Sequence, residues 1–322
     1  MNYKKLLRKL ICGGVICAAL TTGMNFAAAD EVDFDPDAAI VEWTQKLQMD
    51  PTNAVVYHNR GVAYKMKEDY EKALADFNKA IELDPSYADA YNNRGTVYSQ
   101  LRMYKEAADD YTNAIRLDQN NAIAYNNRSV AYIMLGSNAG MKGNSSEHDN
   151  YYRKAVSDAA RAISLDANYE DAYINRGRAY AALEERNNAI NDFTQALKLN
   201  PKNPTIYSIR GASYDAINRE DLALADYTKA LELDPNDGAT YNNRGLIYMN
   251  RKNYNKAIAD FTKALENNGE NAVFYNNRGV AYYAKRDYDS AIDDFTRALS
   301  INPDFKAAVD NLQDAIAAKG KA

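Results

Sequence analysis

The side chains able to bind or react recur along this chain at a fixed interval. Arg60, Arg94, Arg128, Arg176, Arg210, Arg244 and Arg278 stand 34 residues apart, except across one longer gap between Arg128 and Arg176. Asp76, Asp110, Asp158, Asp192, Asp226, Asp260 and Asp294 recur with them, 16 residues behind each arginine in every uninterrupted copy. Lining a cleft, such arginines would grip acidic ligands; facing the aspartates, they would form ion pairs that fix how helices meet. The ion-pair ladder is favoured, because partly buried charges persist chiefly when paired. An asparagine precedes nearly every arginine: Asn59, Asn93, Asn127, Asn175, Asn243 and Asn277, with Ile209 breaking the row. One amide per interval offers donors and an acceptor to the backbone of an extended peptide, or else it supports the protein itself.

Other chemistry is thin. His58 and His148 are the only histidines, and no metalloprotease, nucleophile-elbow or phosphate-loop string occurs. Asp109-Asp110 and Asp293-Asp294 fall on the repeating pattern. Asp33, Asp35 and Asp37 alternate as in a calcium loop, but Ala38 and Thr44 replace its glycine and closing glutamate. Cys12 and Cys17 both precede residue 30, so the remainder has no disulfide, thiolate metal site or cysteine nucleophile. With 39 Lys plus Arg against 44 Asp plus Glu, the chain lacks the basic excess of a nucleic-acid binder. No enzyme activity, cofactor or metal is expected.

The elements that must position these residues follow from the same period. Tyr-x-x-Arg-Gly occurs at 57–61, 91–95, 173–177, 207–211, 241–245 and 275–279, and a seventh copy ends in Ser129. A further tyrosine follows three residues later, on the same helical face as the first. Twelve residues past the glycine comes an alanine, as at Ala73, then an aromatic such as Phe77, another alanine, and usually a closing proline such as Pro85. Each interval therefore encodes two short amphipathic helices that cannot bury their apolar faces without stacked neighbours.

This pattern resembles the tetratricopeptide repeat over residues 54–305, in seven copies. The resemblance implies an all-α, right-handed superhelical solenoid of antiparallel helix pairs, with first helices lining a concave groove. It also implies a protein or peptide partner, the asparagines resembling a ladder that holds peptide backbones in another member of the family. A clamp for chaperone C-termini is not expected, because His58, Asn92 and Asn126 stand where that clamp keeps lysine. Arginine here takes the place usually held by leucine.

Repeat three departs from the rest. Ser129 to Ala155 spans 26 residues where other copies span 12, an insertion of 14, and the Gly-, Ser- and Asn-rich stretch at about 136–150 reads as a surface loop open to a partner. Ala159 also replaces the aromatic. Residues 30–53 read as a linker and capping half-repeat through Ala39, Trp43, Leu47 and Met49, and 306–322 as a capping helix through Val309, Leu312 and Ile316. Residues 1–29, with Lys4, Lys5, Arg8 and Lys9, an apolar stretch and Ala27-Ala28-Ala29, read as a cleaved signal peptide, with a membrane anchor as the alternative if they are retained. The expected function is an exported, non-enzymatic binding scaffold, periplasmic or extracellular in a bacterium; the alternative is an envelope-assembly chaperone that holds exported chains transiently.

Overall fold

A computed structural model describes residues 34–321; the stretch read as a signal peptide, 1–29, lies outside the described residues. Sixteen helices run in order: α1 Pro36–Met49, α2 Ala54–Met66, α3 Tyr70–Leu83, α4 Ala88–Gln100, α5 Tyr104–Leu117, α6 Ala122–Met141, α7 Ser145–Leu165, α8 Glu170–Ala182, α9 Arg186–Leu199, α10 Pro204–Asp215, α11 Glu220–Leu233, α12 Gly238–Asn250, α13 Tyr254–Asn268, α14 Ala272–Ala284, α15 Tyr288–Ile301 and α16 Lys306–Lys319. The described residues contain no strand. They divide into two compact units with the boundary between Tyr151 and Tyr152, inside α7.

Both units are arrays of antiparallel helix pairs. Asn53, Asn121, Asp237 and Asn271 accept from backbone amides in the first turns of α2, α6, α12 and α14, which starts those helices in phase. The turn inside most pairs runs through a left-handed residue, such as Arg102 or Lys252, and closes with a bond from the next amide to a carbonyl five residues back, as from Met103 to Tyr98. Phe77, fully buried in the first unit, packs on Ala73 of its own helix and Val97 of the following pair. In the second unit Phe261 does the same with Ala257 and Ala281. Burying an aromatic between pairs is worth roughly 2–3 kcal/mol, and it is gained only on stacking. Gly177 allows it: a Cβ there would lie 2.6 Å from the Phe193 ring.

The expected loop of repeat three is instead helix. α6 has 20 residues against 13 in α2, and α7 has 21 against 14 in α3, so seven extra residues in each account for the 14 inserted. Seven residues are nearly two turns, which returns each helix to the same face. Small residues that suggest a loop here allow close packing: the His148 ring lies where a Cβ on Gly140 would be, at 2.9 Å. His148 therefore sits on α7, not in a loop, and only Lys142–Asn144 turn, with Gly143 at φ +75°.

The caps seat in part through the residues the sequence marks, with Leu312 packed against the cluster of Phe295 and Ala315. α1 buries Ala39 and Leu47 but leaves Met49 80% exposed. α16 seats through Ala308 and Ala315 against Ala298 and Phe295, and Ile316 points to solvent. Asp35 caps α1 by accepting from the Asp37 amide at 2.9 Å, which gives Asp35 a helix-starting role.

Candidate functional site

Outside repeat three, the arginine of each first helix faces the aspartate of the second helix of its own pair. Arg244 donates from Nε to Asp260 Oδ2 and from Nη2 to Oδ1, both at 2.8 Å. Arg60–Asp76, Arg94–Asp110, Arg176–Asp192, Arg210–Asp226 and Arg278–Asp294 repeat the fork at 2.7–2.8 Å. Arg128 lies in the first unit and Asp158 in the second. The remaining guanidinium nitrogen, Nη1, reaches back one pair: Arg244 to Thr228, Arg210 to Thr194, Arg278 to Thr262, Arg128 to Thr112, Arg94 to Asn78 and Arg60 to Thr44, at 2.7–3.2 Å. Arg176 lacks this bond because Ala160 stands at the corresponding place.

Tyrosines complete the slot. The Arg60 guanidinium carbon lies 5.6 Å from the Tyr57 ring centre and 5.9 Å from that of Tyr64, and Arg94 sits likewise between Tyr91 and Tyr98. The hydrogen bond to Asp110, and then its charge, hold the Arg94 guanidinium above its usual range. Burial carries the Asp110 carboxyl upward, outweighing the pull of Arg94. Paired on both sides, these arginines have little capacity left for an acidic ligand.

The asparagines are not equivalent. Asn127 donates from Nδ2 to Asn92 Oδ1 of the preceding first helix at 3.2 Å, and Asn277 to Asn242 at 2.9 Å; Asn311 of α16 does the same to Asn276. One of the two amide hydrogens of each is committed to stacking. Asn175 is buried. Asn243 makes no hydrogen bond among the described residues, because Ser208, at the place where other repeats supply an asparagine, bonds Thr240 instead. Asn59 uses only its oxygen, against His58 Nδ1 at 3.3 Å.

At Asn93 the network includes titratable groups. Lys65 Nζ donates to Asn93 Oδ1 at 2.6 Å, so Asn93 Nδ2 is the group at 3.0 Å from His58 Nε2. That nitrogen must accept, which places the imidazole proton on Nδ1, near the Tyr87 hydroxyl at 3.1 Å. Burial, opposed by the Asn59 bond and aided by the charge of Lys65, pulls the His58 pKa down to about 4. Burial pulls Lys65 down to about 8. Among the described residues no group of histidines, cysteines and carboxylates is placed to hold a metal, and no helix is long and apolar enough to cross a membrane.

Residues 54–87, 88–121, 170–203, 238–271 and 272–305 match the Tetratricopeptide repeat family, and residues 204–237 match a second form of the same repeat. The chain belongs to the tetratricopeptide repeat family. No curated protein matches it. Among solved structures, a tetratricopeptide repeat protein from Parabacteroides merdae is 20% identical, with 87% of this chain and 99% of that one covered and a TM-score of 0.57. The APC/C hetero-tetramer Cut9-Hcn1 is also 20% identical over 87% of this chain, at a TM-score of 0.59, and this chain spans 52% of that one. These likenesses are of fold.

Within these tetratricopeptide repeats, the ion-pair slot replaces an apolar contact by a charged one that binds two successive pairs at once. Its third member, the threonine after the aromatic, was missed in the sequence. The signal was present: Thr112, Thr194, Thr228 and Thr262 follow Tyr111, Phe193, Tyr227 and Phe261 directly. Members of this family act as protein-interaction scaffolds, generally without catalysis.

Proposed function

We propose that this chain is an exported, non-enzymatic scaffold that holds a protein partner, as an extended segment, along the faces of its first helices, in the periplasm or outside the cell. The observation that carries the proposal is the unspent hydrogen-bonding capacity of these faces. Asn243 has no internal partner, and Asn59 keeps its amide nitrogen free. Exposed apolar side chains stand one turn away on the same helices: Val55 on α2 and Leu246 on α12. An amide to hold peptide backbone beside apolar surface to take side chains is what a sequence-tolerant peptide site requires. The ladder arginines serve as structure in this scheme, and neither nucleic acid nor a cofactor has a part in it.

The test is the pair Asn59→Ala and Asn243→Ala, which removes the free amides and leaves the bonds between repeats intact. Affinity for a partner isolated from an envelope fraction should fall by about 1–3 kcal/mol for the two hydrogen bonds, with melting unchanged. Unchanged affinity refutes the site. Weak, unselective binding of many unfolded chains would identify the assembly chaperone instead. Amino-terminal sequencing of periplasmic material should begin at Asp30; a chain starting at Met1 in the membrane pellet refutes export by cleavage.

A further inference from the structure

We propose that Lys65 is the anchor for a single carboxylate of the bound peptide, so that the first unit selects an acidic residue or a chain end at one place along an otherwise sequence-tolerant face. The inference rests on the peptide-binding role proposed above and adds the chemical identity of one contact.

Lys65 is set apart by its burial: Lys285 also donates to a neutral acceptor, Asn255 Oδ1 at 2.6 Å, but is exposed. The ladder arginines reported above in forks each hold a carboxylate. The exposed lysines that make ion pairs do so with acids, as Lys72 does with Asp69 and Lys263 with Glu266. Lys65 is half-buried between α2 and α4, and its one acceptor is the neutral oxygen of Asn93 at 2.6 Å. No carboxylate among the described residues is within ion-pair distance of it. The titratable group that faces it is His58, on its own helix, held neutral by the acceptor role of Nε2; from α4 it faces the amide of Asn93. An ammonium so placed has lost much of its hydration without gaining a counter-charge, and burial accordingly weakens its hold on the proton. An ammonium has three donors, and Asn93 takes one.

The surroundings fix the class of ligand. One positive charge balances one negative charge, so a carboxylate neutralises the site, whereas a phosphate dianion would leave a buried negative charge without a partner. Asn93 is held on both sides, by Lys65 and by His58 with the Asp89 carbonyl, so Nζ is positioned before any ligand arrives. Lys65 also stands one turn beyond Gly61 on α2, away from the places where the family's chaperone-tail clamp keeps its lysines, so this contact is separate from that clamp.

The consequence is proton uptake. A free amine titrating near 8 that becomes ion-paired on binding takes up roughly half a proton per site at pH 8 and roughly nine-tenths at pH 9, but under about a tenth at pH 7. The probes are three mixtures of decapeptides with an acetylated amino terminus, randomised at all but one central position: Glu with an amidated end, Gln with an amidated end, and Gln with a free carboxyl end. Lys65 is followed in the full mature chain by carbon NMR of the methylene next to Nζ, assigned with Lys65→Gln. The Glu mixture should move its titration midpoint up by a unit or more, and calorimetry in two buffers at pH 8.5 should show the uptake. The free-end mixture doing the same assigns the site to a chain terminus as well; its failure restricts the site to side chains. Lys65→Gln, with melting checked, should bind the Glu and Gln mixtures equally. Equal binding of both by the unaltered protein, with the Lys65 midpoint unmoved, overturns the anchor and leaves the peptide face standing. Binding of none of the three overturns both.

Discussion

Replacing Arg244 by methionine would show whether the ladder is structure or ligand site. Arg244→Met keeps the length and apolar stem of the side chain but removes the two bonds to Asp260 and the one to Thr228. Asp260 is 6% exposed, so water cannot replace them. Removing one partner of a buried ion pair costs about 3–5 kcal/mol. The carboxylate has one escape, which is to take up a proton; from an ordinary pKa near 3.9 this costs about 4 kcal/mol at pH 7 and caps the penalty there. The expected loss is therefore about 3–4 kcal/mol, read by urea denaturation with hydrogen exchange on α12 and α13 to localise it. Arg244→Met combined with Asp260→Leu should recover most of it, since an apolar pair leaves no charge behind. The single variant should also regain stability as pH falls from 7 towards 5. In the variant the buried carboxylate has lost its counter-charge, so the folded chain takes up a proton before the unfolded chain does. Unchanged stability, with loss of partner binding, would refute the structural assignment.

Acid should weaken the first unit through His58. Its native pKa of about 4 lies below the unfolded 6.5, so stability is full above 6.5 and falls by about 3 kcal/mol as pH drops through 4. His58→Asn, which installs the residue found at Asn92 and Asn126, should remove that slope while keeping an acceptor for Asn93; a slope that persists in the variant refutes the assignment, as does nitrogen NMR showing the proton on Nε2 at pH 7. Gly177→Ala should destabilise the second unit by about 1–3 kcal/mol, because its Cβ meets the Phe193 ring, which is 1% exposed and has nowhere to move; a neutral effect in thermal melting would show that the ring yields.

Most of the fold was legible because each repeat states the same packing problem and the same answer. Tyr57, Arg60, Gly61 and Tyr64 fix one face of a helix, Ala73 and Phe77 the face opposite, and the 34-residue interval fixes the stacking. The lengthened hairpin of repeat three was not legible from composition. Gly136, Ser137, Gly140 and Gly143 favour a loop taken alone, yet all but Gly143 lie in helix, with the His148 ring packed at Gly140. Its length gave the available clue, since 14 residues divide into two additions of nearly two turns each.

The candidate site divides in the same way. Sequence determined that arginines and aspartates would stand at matched heights, since both lie equidistant from a turn. It left open whether each arginine takes the aspartate of its own pair or the preceding one. Tertiary structure decided for its own pair, and gave the third guanidinium nitrogen to a threonine of the pair before. Sequence likewise presented Asn59, Asn93, Asn127, Asn243 and Asn277 as one kind of residue. Their differences depend on what the preceding helix supplies 35 residues earlier: Asn92 and Asn242 take the amide hydrogens of Asn127 and Asn277, His58 takes one of Asn93, and Ser208 leaves Asn243 free. A residue's type sets how many hydrogen bonds it can make, but only its neighbours in space determine how many are left for a ligand.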